Sequence, residues 1–597
     1  MLFVILYRNY MTLVFPENIR FQKLAIFTLY MNHLKNNLLS LLCVFVFFFV
    51  SGCHNRKAHN EPIIVSTPEK MDKQTSQTIQ DVLEYALQHN GDIGDTIHLQ
   101  FTGPVNSFYA GNDFNNIWSH KEKWEPLADS LYYFIEHAAW QGLFPNDYHF
   151  KKLQKIKASL DNDSMKRMDA NLWTKADLML TDGFIHLVKD LKQGHLSKDS
   201  ISFNKKELTD TFYSAKLANL LSAGQLTNAL NALQPANEGY RALKDCIPLF
   251  LDSMDKRTYT YVTYPFKTND EKDSLSFIKK LQKRLSESKC IEPGTSLPDT
   301  VQLKAAIKKF QHLKGIKQDG MISAGLIKTL NNNDAERFKR IAITLDRYRQ
   351  LPDSMPEKYI WVNLPAYYMQ LIDHDTIVIQ SKIICGKPAT RTPLLNSYIT
   401  DMVTYPTWTV PNSIIVKQYL PKLKTNPNYL DGIGLHLVND KGETVNGSDV
   451  KWSKYTKGIP YKIMQGSGDD NALGIMKFNF SNAYAVYLHD TNQRYLFKNA
   501  TRALSHGCVR VQEWQKLAFY IARNDSMNVK PGETLRYTTD SIMSWLDRKE
   551  NRRIGVKNKI SLFIRYFTCE ARNGKIKFYD DIYGEDKIIR EKYFTDK

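Results

Sequence analysis

The spacing of the hydrophobic residues changes once along the chain, and that change limits the fold to an α+β arrangement in several domains. Up to residue 348 the apolar residues recur at helical intervals, whereas from Tyr359 they fall in short runs at 359–364, 367–373 and 376–385 with turn residues between them. The second pattern is that of strands. Among the helical stretches 174–196 is the clearest, with Leu178, Leu180, Phe184, Leu187, Val188 and Leu191 on one face and Gly194 as its stop. A chain of 597 residues is too long for one core, and about three or four units are expected.

Within the strand region one thiol stands in a context that suits a nucleophile: Ser505, His506, Gly507, Cys508, Val509, Arg510. A cysteine is only a few per cent thiolate at neutral pH, so a catalytic one needs a base within reach and donors for the charge that develops on the attacked carbonyl. The segment 483–488 reads as a strand that delivers His489 at its end, followed by Asp490 and Thr491. Trp514, Leu517, Ala518 and Ile521 have helical spacing over 513–523, which puts Cys508 just ahead of a helix whose N-terminus modestly favours the thiolate.

A histidine, fifteen intervening residues and then Ser-His-Gly-Cys-Val-Arg resembles the signature of the L,D-transpeptidase catalytic domain. Asn471-Ala472-Leu473-Gly474, Lys477-Phe478 and Tyr487-Leu488-His489-Asp490-Thr491 fit the same family, as do Thr392-Pro393 and the run from Tyr405 to Pro411. The resemblance implies acyl transfer in peptidoglycan, with Cys508 as nucleophile and His489 as its base. It further implies Gly507, Cys508 and Tyr487 as oxyanion donors and the Asp490 carbonyl as the group that orients the imidazole. Arg510, Ser505 and His506 are candidates for substrate binding. No cofactor and no metal are expected: His489, Asp490, His506 and Cys508 offer suitable atoms, but their spacing matches no common zinc pattern. Papain-like peptidases place cysteine before histidine, the reverse of the order here. A wall-binding protein without activity, or an L,D-carboxypeptidase or cysteine peptidase of the wall, would be the alternatives.

The resemblance extends to the domain plan, an α+β multidomain chain with a helical scaffold and a three-helix peptidoglycan-binding unit ahead of a mostly β catalytic domain. Residues 79–273 are expected to form the scaffold, 274–332 the binding unit and 333–357 a helical connector. In the binding unit Phe277, Ile278, Leu281 and Leu285 make one apolar stripe and Leu303, Ala306, Ile307 and Phe310 another, followed by an Asp319-Gly320 turn. Gly325 falls where a better helix former is expected. The catalytic domain is expected over 358–545, with a cap at 411–465, where 55 residues break the strand pattern. Residues 546–597 are expected to add strands.

Ahead of these domains lie an extension or misplaced start over 1–30, an export signal over 31–53 and a polar tether over 54–78. The apolar run 38–50 is thirteen residues long, short for a membrane span and right for a signal. It ends in Val50-Ser51-Gly52-Cys53, which resembles a lipoprotein cleavage box with Cys53 as the acylated residue. A periplasm-facing lipoprotein in the envelope of a Gram-negative-type bacterium is therefore expected, a monomer whose partners are peptidoglycan stem peptides and a membrane. The formal charge of +18, of which residues 1–52 carry +3, suits an anionic polymer or a membrane surface. No nucleic-acid partner is expected, because the lysines and arginines are scattered and no binding motif accompanies them. Seven cysteines occur, at 43, 53, 246, 290, 385, 508 and 569, and none forms a close pair of the metal or redox type. An oxidising compartment would permit one disulfide among Cys246, Cys290, Cys385 and Cys569, and the sequence selects no pair.

Overall fold

The computed structural model describes residues 61–597 apart from residues 204, 265–270, 295, 530, 531, 533, 535, 536 and 596. The expected extension, the signal with its Cys53, and residues 54–60 of the expected tether lie outside the described residues. By compactness, the described residues up to 123 together with 156–178 form one unit, and 124–155 together with 179–597 form the other.

The first unit is helical. Its helix Met71–Gln88 buries Met71, Thr75, Ile79, Val82, Leu83 and Ala86. Residues 71–78 therefore belong to this helix and not to the tether, a correction that the polar composition of the stretch concealed. Asp177 is buried beside Trp118, whose backbone N–H donates to it at 2.9 Å, and beside the Tyr109 hydroxyl. Burial raises its carboxyl to about 6.

The second unit holds the main strands together with many of the helices. In chain order the main strands are β1 (Lys358–Asn363), β2 (Tyr368–Asp373), β3 (Thr376–Gly386), β4 (Leu395–Thr404) and β5 (Met476–Phe480). They continue with β6 (Leu488–His489), β7 (Ala503–Ser505), β8 (Val509–Val511), β9 (Arg552–Gly555) and β10 (Ser561–Arg565). The sheet runs β5-β6-β8-β3-β2-β1-β10-β4, and pairing of β4 with β5 closes it into a barrel, with β7 beside β3 and β9 beside β4. Alternation decides which side chains fill it. Ile360, Val362, Met369, Leu371 and Leu562 join a core with Leu517 and Ile521 of the helix Trp514–Met527. The intervening Tyr359, Trp361, Tyr368 and Phe563 pack against Tyr240, Leu243, Ile341 and Leu345, which come from helices Glu238–Asp245 and Asp334–Arg349.

Smaller cores lie in this unit as well. Phe277, Leu281, Leu285, Ala306, Ile307, Phe310, Leu326 and Leu330 pack together from helices Glu271–Glu287, Thr300–Leu313 and Ala324–Leu330. Asp299 and Ser323 cap the second and third of these helices, so the third forms despite Gly325. Gln311 fixes the Asp319-Gly320 turn, donating to Asp319 at 2.8 Å and accepting from Gly320 N–H at 2.8 Å. Between β4 and β5, Ile414, Leu420, Leu423, Leu437, Trp452 and Ile463 form a separate core under a four-stranded sheet. That stretch reads as irregular in sequence because its strands, such as His436–Val438 and Thr444–Val445, are too short to show a period.

The C-terminal region corrects a second expectation. Beyond β10 it adds a hairpin, Cys569–Arg572 with Lys575–Phe578, and then a helix, Glu585–Tyr593, not strands alone. The helix is rich in charge, which hid it, yet its Asp586 is buried and meets Arg347 at 2.6 Å.

Candidate active site

Three neighbouring strands assemble the candidate residues. Lys477 of β5 stands opposite His489 of β6, and His489 is in register with Arg510 of β8. These three side chains therefore share one face of the barrel wall. Of the expected strand 483–488 only Leu488 is extended in the sheet, together with His489 that follows it. Cys508 immediately precedes β8, beside Tyr487, whose carbonyl accepts from Val509 N–H at 3.1 Å. The intervening β8 means that the helix Trp514–Met527 does not begin at Cys508, which corrects the expected helix-terminus effect.

Gly507 has φ +129°, a conformation that favours glycine, and its carbonyl accepts from Thr392 Oγ1 at 2.7 Å. Its N–H donates to Ser505 Oγ at 3.1 Å, so it is engaged inside the loop and does not face a substrate carbonyl. The Cys508 N–H has no partner among the described residues. Ser505 is buried, and its hydroxyl also donates to the Cys508 carbonyl at 2.6 Å. Ser505 thus shapes the loop and is not placed to bind substrate, a correction to the sequence expectation. His506 is exposed and meets Gln418 of the cap, Nε2 to Oε1, at 3.0 Å.

His489 is buried, and its Nδ1 has no hydrogen-bond partner among the described residues. Burial first, then the charge of Arg510, lowers its pKa to about 3, against the opposing pull of the Asp490 and Leu473 carbonyls. The imidazole is therefore neutral at physiological pH and can accept a proton. The Asp490 carboxylate points elsewhere: it receives Arg494 Nη2 at 2.7 Å and Ile475 N–H at 3.1 Å. Gly474 lets it pack there, since a Cβ at that position would lie 2.3 Å from Asp490 Oδ2.

The sulfur of Cys508 is deep enough for burial to raise its pKa above the ordinary thiol value, against hydrogen bonds from Tyr487 and the charges of Lys477 and Arg510. The Tyr487 hydroxyl acts on the Cys508 thiol, and its ring centroid lies 5.5 Å from that of His489. Arg510 donates from Nη1 to Thr491 Oγ1 at 3.2 Å and to Gln493 Oε1 at 3.1 Å, and its buried Nε is unpartnered among the described residues. The five described cysteines are free.

Sequence reading gave no role to Thr392, Tyr583 or Lys477. Tyr583 donates to the Gly386 carbonyl at 2.7 Å and accepts from Thr392 N–H at 3.2 Å, so the C-terminal region supports the Cys508 loop. The only sequence signal for such contacts is residue type, since the partners lie far apart in the chain.

Two regions match known families: residues 103–246 match the Scaffold domain and residues 357–530 the L,D-transpeptidase catalytic domain. A curated Haemophilus influenzae protein, provisionally named as an L,D-transpeptidase, is 32% identical over 251 residues, 42% of this chain and 49% of the relative. The chain thus spans about half the length of that relative. Among solved structures, an L,D-transpeptidase from Mycobacterium smegmatis is 10% identical, covering 35% of this chain and 58% of that one, with a TM-score of 0.17. The catalytic domain of the E. faecium L,D-transpeptidase acylated by ertapenem is 13% identical, covering 36% and 99%, with a TM-score of 0.16. Superpositions with such TM-scores carry no weight beside the two sequence matches.

Proposed function

We propose that this chain, whose residues 357–530 match the L,D-transpeptidase catalytic domain and 103–246 the Scaffold domain, cross-links diamino acid residues of peptidoglycan stem peptides through a thioester on Cys508. The observation that carries this reading is the buried, unpartnered Nδ1 of a neutral His489 in the same wall as Cys508. His489 takes the thiol proton, and the sulfur attacks the carbonyl of the bond between the L-centre of the diamino acid and the terminal D-alanine. The oxyanion accepts from the Cys508 N–H and the Tyr487 hydroxyl. Collapse expels D-alanine, whose amine leaves with the proton from His489. The amine of a second stem then attacks the thioester, gives its proton to His489 and releases the sulfur, which regains that proton. In this reading the Arg510 guanidinium, a rigid fork, receives a stem carboxylate.

The same reading includes the wall-binding role of residues 274–332, the cap at 411–465 and a lipid on Cys53 that holds the chain to a membrane facing the periplasm. Equal labelling of wild type and Cys53→Ser by a clickable fatty acid would contradict the anchor. Carbapenems present a strained carbonyl to the thiol. Intact-protein mass spectrometry after ertapenem exposure should show one adduct, mapped to Cys508. Cys508→Ala should show none, and His489→Ala should acylate about 10²–10⁴-fold more slowly. An adduct on Cys246, Cys290, Cys385 or Cys569 instead would overturn the mechanism.

A further inference from the structure

Two cations stand beside the candidate nucleophile without a carboxylate to balance them. Arg510 is held by neutral oxygens of Thr491 and Gln493. Lys477 is half-buried, and its ammonium lies 4.1 Å from the centre of the Tyr487 ring. Among the described residues neither has an ion-pair partner. Asp401 of β4, the acid that acts on Lys477, is itself engaged by Arg553 at 3.0 Å and by Asn479 at 2.7 Å.

A buried charge without a partner is costly, and such charges cluster where a developing opposite charge uses them. The barrel register puts Lys477 and Arg510 on either side of His489. Lys477 also covers the ring of Tyr487, the residue whose carbonyl accepts from Val509 N–H next to Cys508, and its charge acts on the sulfur. We propose that Lys477 is a positioning residue for the nucleophile: its ammonium, held on Tyr487, stabilises the Cys508 thiolate while the thiol proton passes to His489 Nδ1. The proposal rests on Cys508 being the nucleophile. Lys477 acts twice in this arrangement, since its charge also helps to keep His489 neutral before the proton arrives. The groups that face the pair are Tyr487, His489, Arg510, Asp401 and Arg553. Of these, Asp401 and Arg553 offset each other.

The test is the pH dependence of Cys508 alkylation by iodoacetamide, which reads the thiolate, followed in the full chain by peptide mapping between about pH 6 and 10. Wild type is compared with Lys477→Met, Lys477→Gln and Lys477→Arg, with circular dichroism and thermal melting as controls for folding. Both neutral variants should move the alkylation midpoint to higher pH and slow labelling at neutral pH about tenfold, with ertapenem acylation slowed in step. Lys477→Arg should restore most of the rate, because it keeps the charge over the ring. An unmoved midpoint in either folded neutral variant would overturn the role of Lys477 while leaving Cys508 as nucleophile. Undiminished acylation of Cys508→Ala would instead overturn the nucleophile, and the role of Lys477 with it.

Discussion

The protonation of His489 governs pH behaviour at the scale of the residue. With the imidazole near 3 and the Cys508 thiol above its ordinary range, the neutral pair is the resting form across the physiological window. Ertapenem acylation should therefore be level between about pH 5 and 8, and an inflection near the ordinary histidine value would contradict the assignment. Stability follows the opposite course. Between 6.5 and about 3 the unfolded chain binds a proton at this residue and the folded chain does not, so stability falls as pH falls through that window. Thermal melts of His489→Asn should show a flatter pH dependence there than wild type. At Gly474, φ +63° and the 2.3 Å approach to Asp490 Oδ2 leave no room for a side chain. Gly474→Ala should lose acylation through displacement of the segment that carries His489, and full activity in that variant would show that the packing is dispensable. Cys508 and His489, the proposed pair, were picked out in the sequence by residue type and motif. Lys477 was not, since its role depends on strand register, and neither was the engagement of Gly507 N–H by Ser505 Oγ.

Among the elements, helix Asp334–Arg349 joins several parts of the second unit. Its Phe338, Ile341 and Leu345 cover the outer face of the barrel. The fully buried Arg349 donates to Asp346 at 2.6 Å, to the Gln141 carbonyl at 2.6 Å and to the Tyr240 hydroxyl at 3.1 Å. Asp346 in turn accepts from the backbone N–H groups of His195 and Leu196. Removing the guanidinium leaves a buried carboxylate without its cation, so Arg349→Ala should destabilise this unit by about 3–5 kcal/mol in urea unfolding. A loss under about 1 kcal/mol would mean that the network is solvated in a way the burial of Arg349 does not allow. This helix was readable from its apolar spacing, as were the first three barrel strands that follow it. The helix Glu585–Tyr593 was not, because its anchoring residue, Asp586, is an acid whose burial depends on Arg347 from a distant element.

For the whole molecule, the family matches cover the scaffold and catalytic regions and leave residues 274–332 between them without an assigned partner. Their separate helical core fits a wall-binding role apart from the chemistry. Deleting 274–332 should weaken sedimentation with purified sacculi while leaving some turnover of small soluble stems. Loss of all turnover in a folded deletion protein would show that this unit helps to build the active site. The central claim is that Cys508 joins two stems, and the most direct measurement is mass spectrometry of muropeptides after the purified full chain acts on tetrapeptide-rich sacculi. Wild type should produce dimers linked between two diamino acid residues, with D-alanine released in equal amount, and Cys508→Ala should produce none. The same dimers from Cys508→Ala, or release of D-alanine by wild type without any dimer, would contradict it.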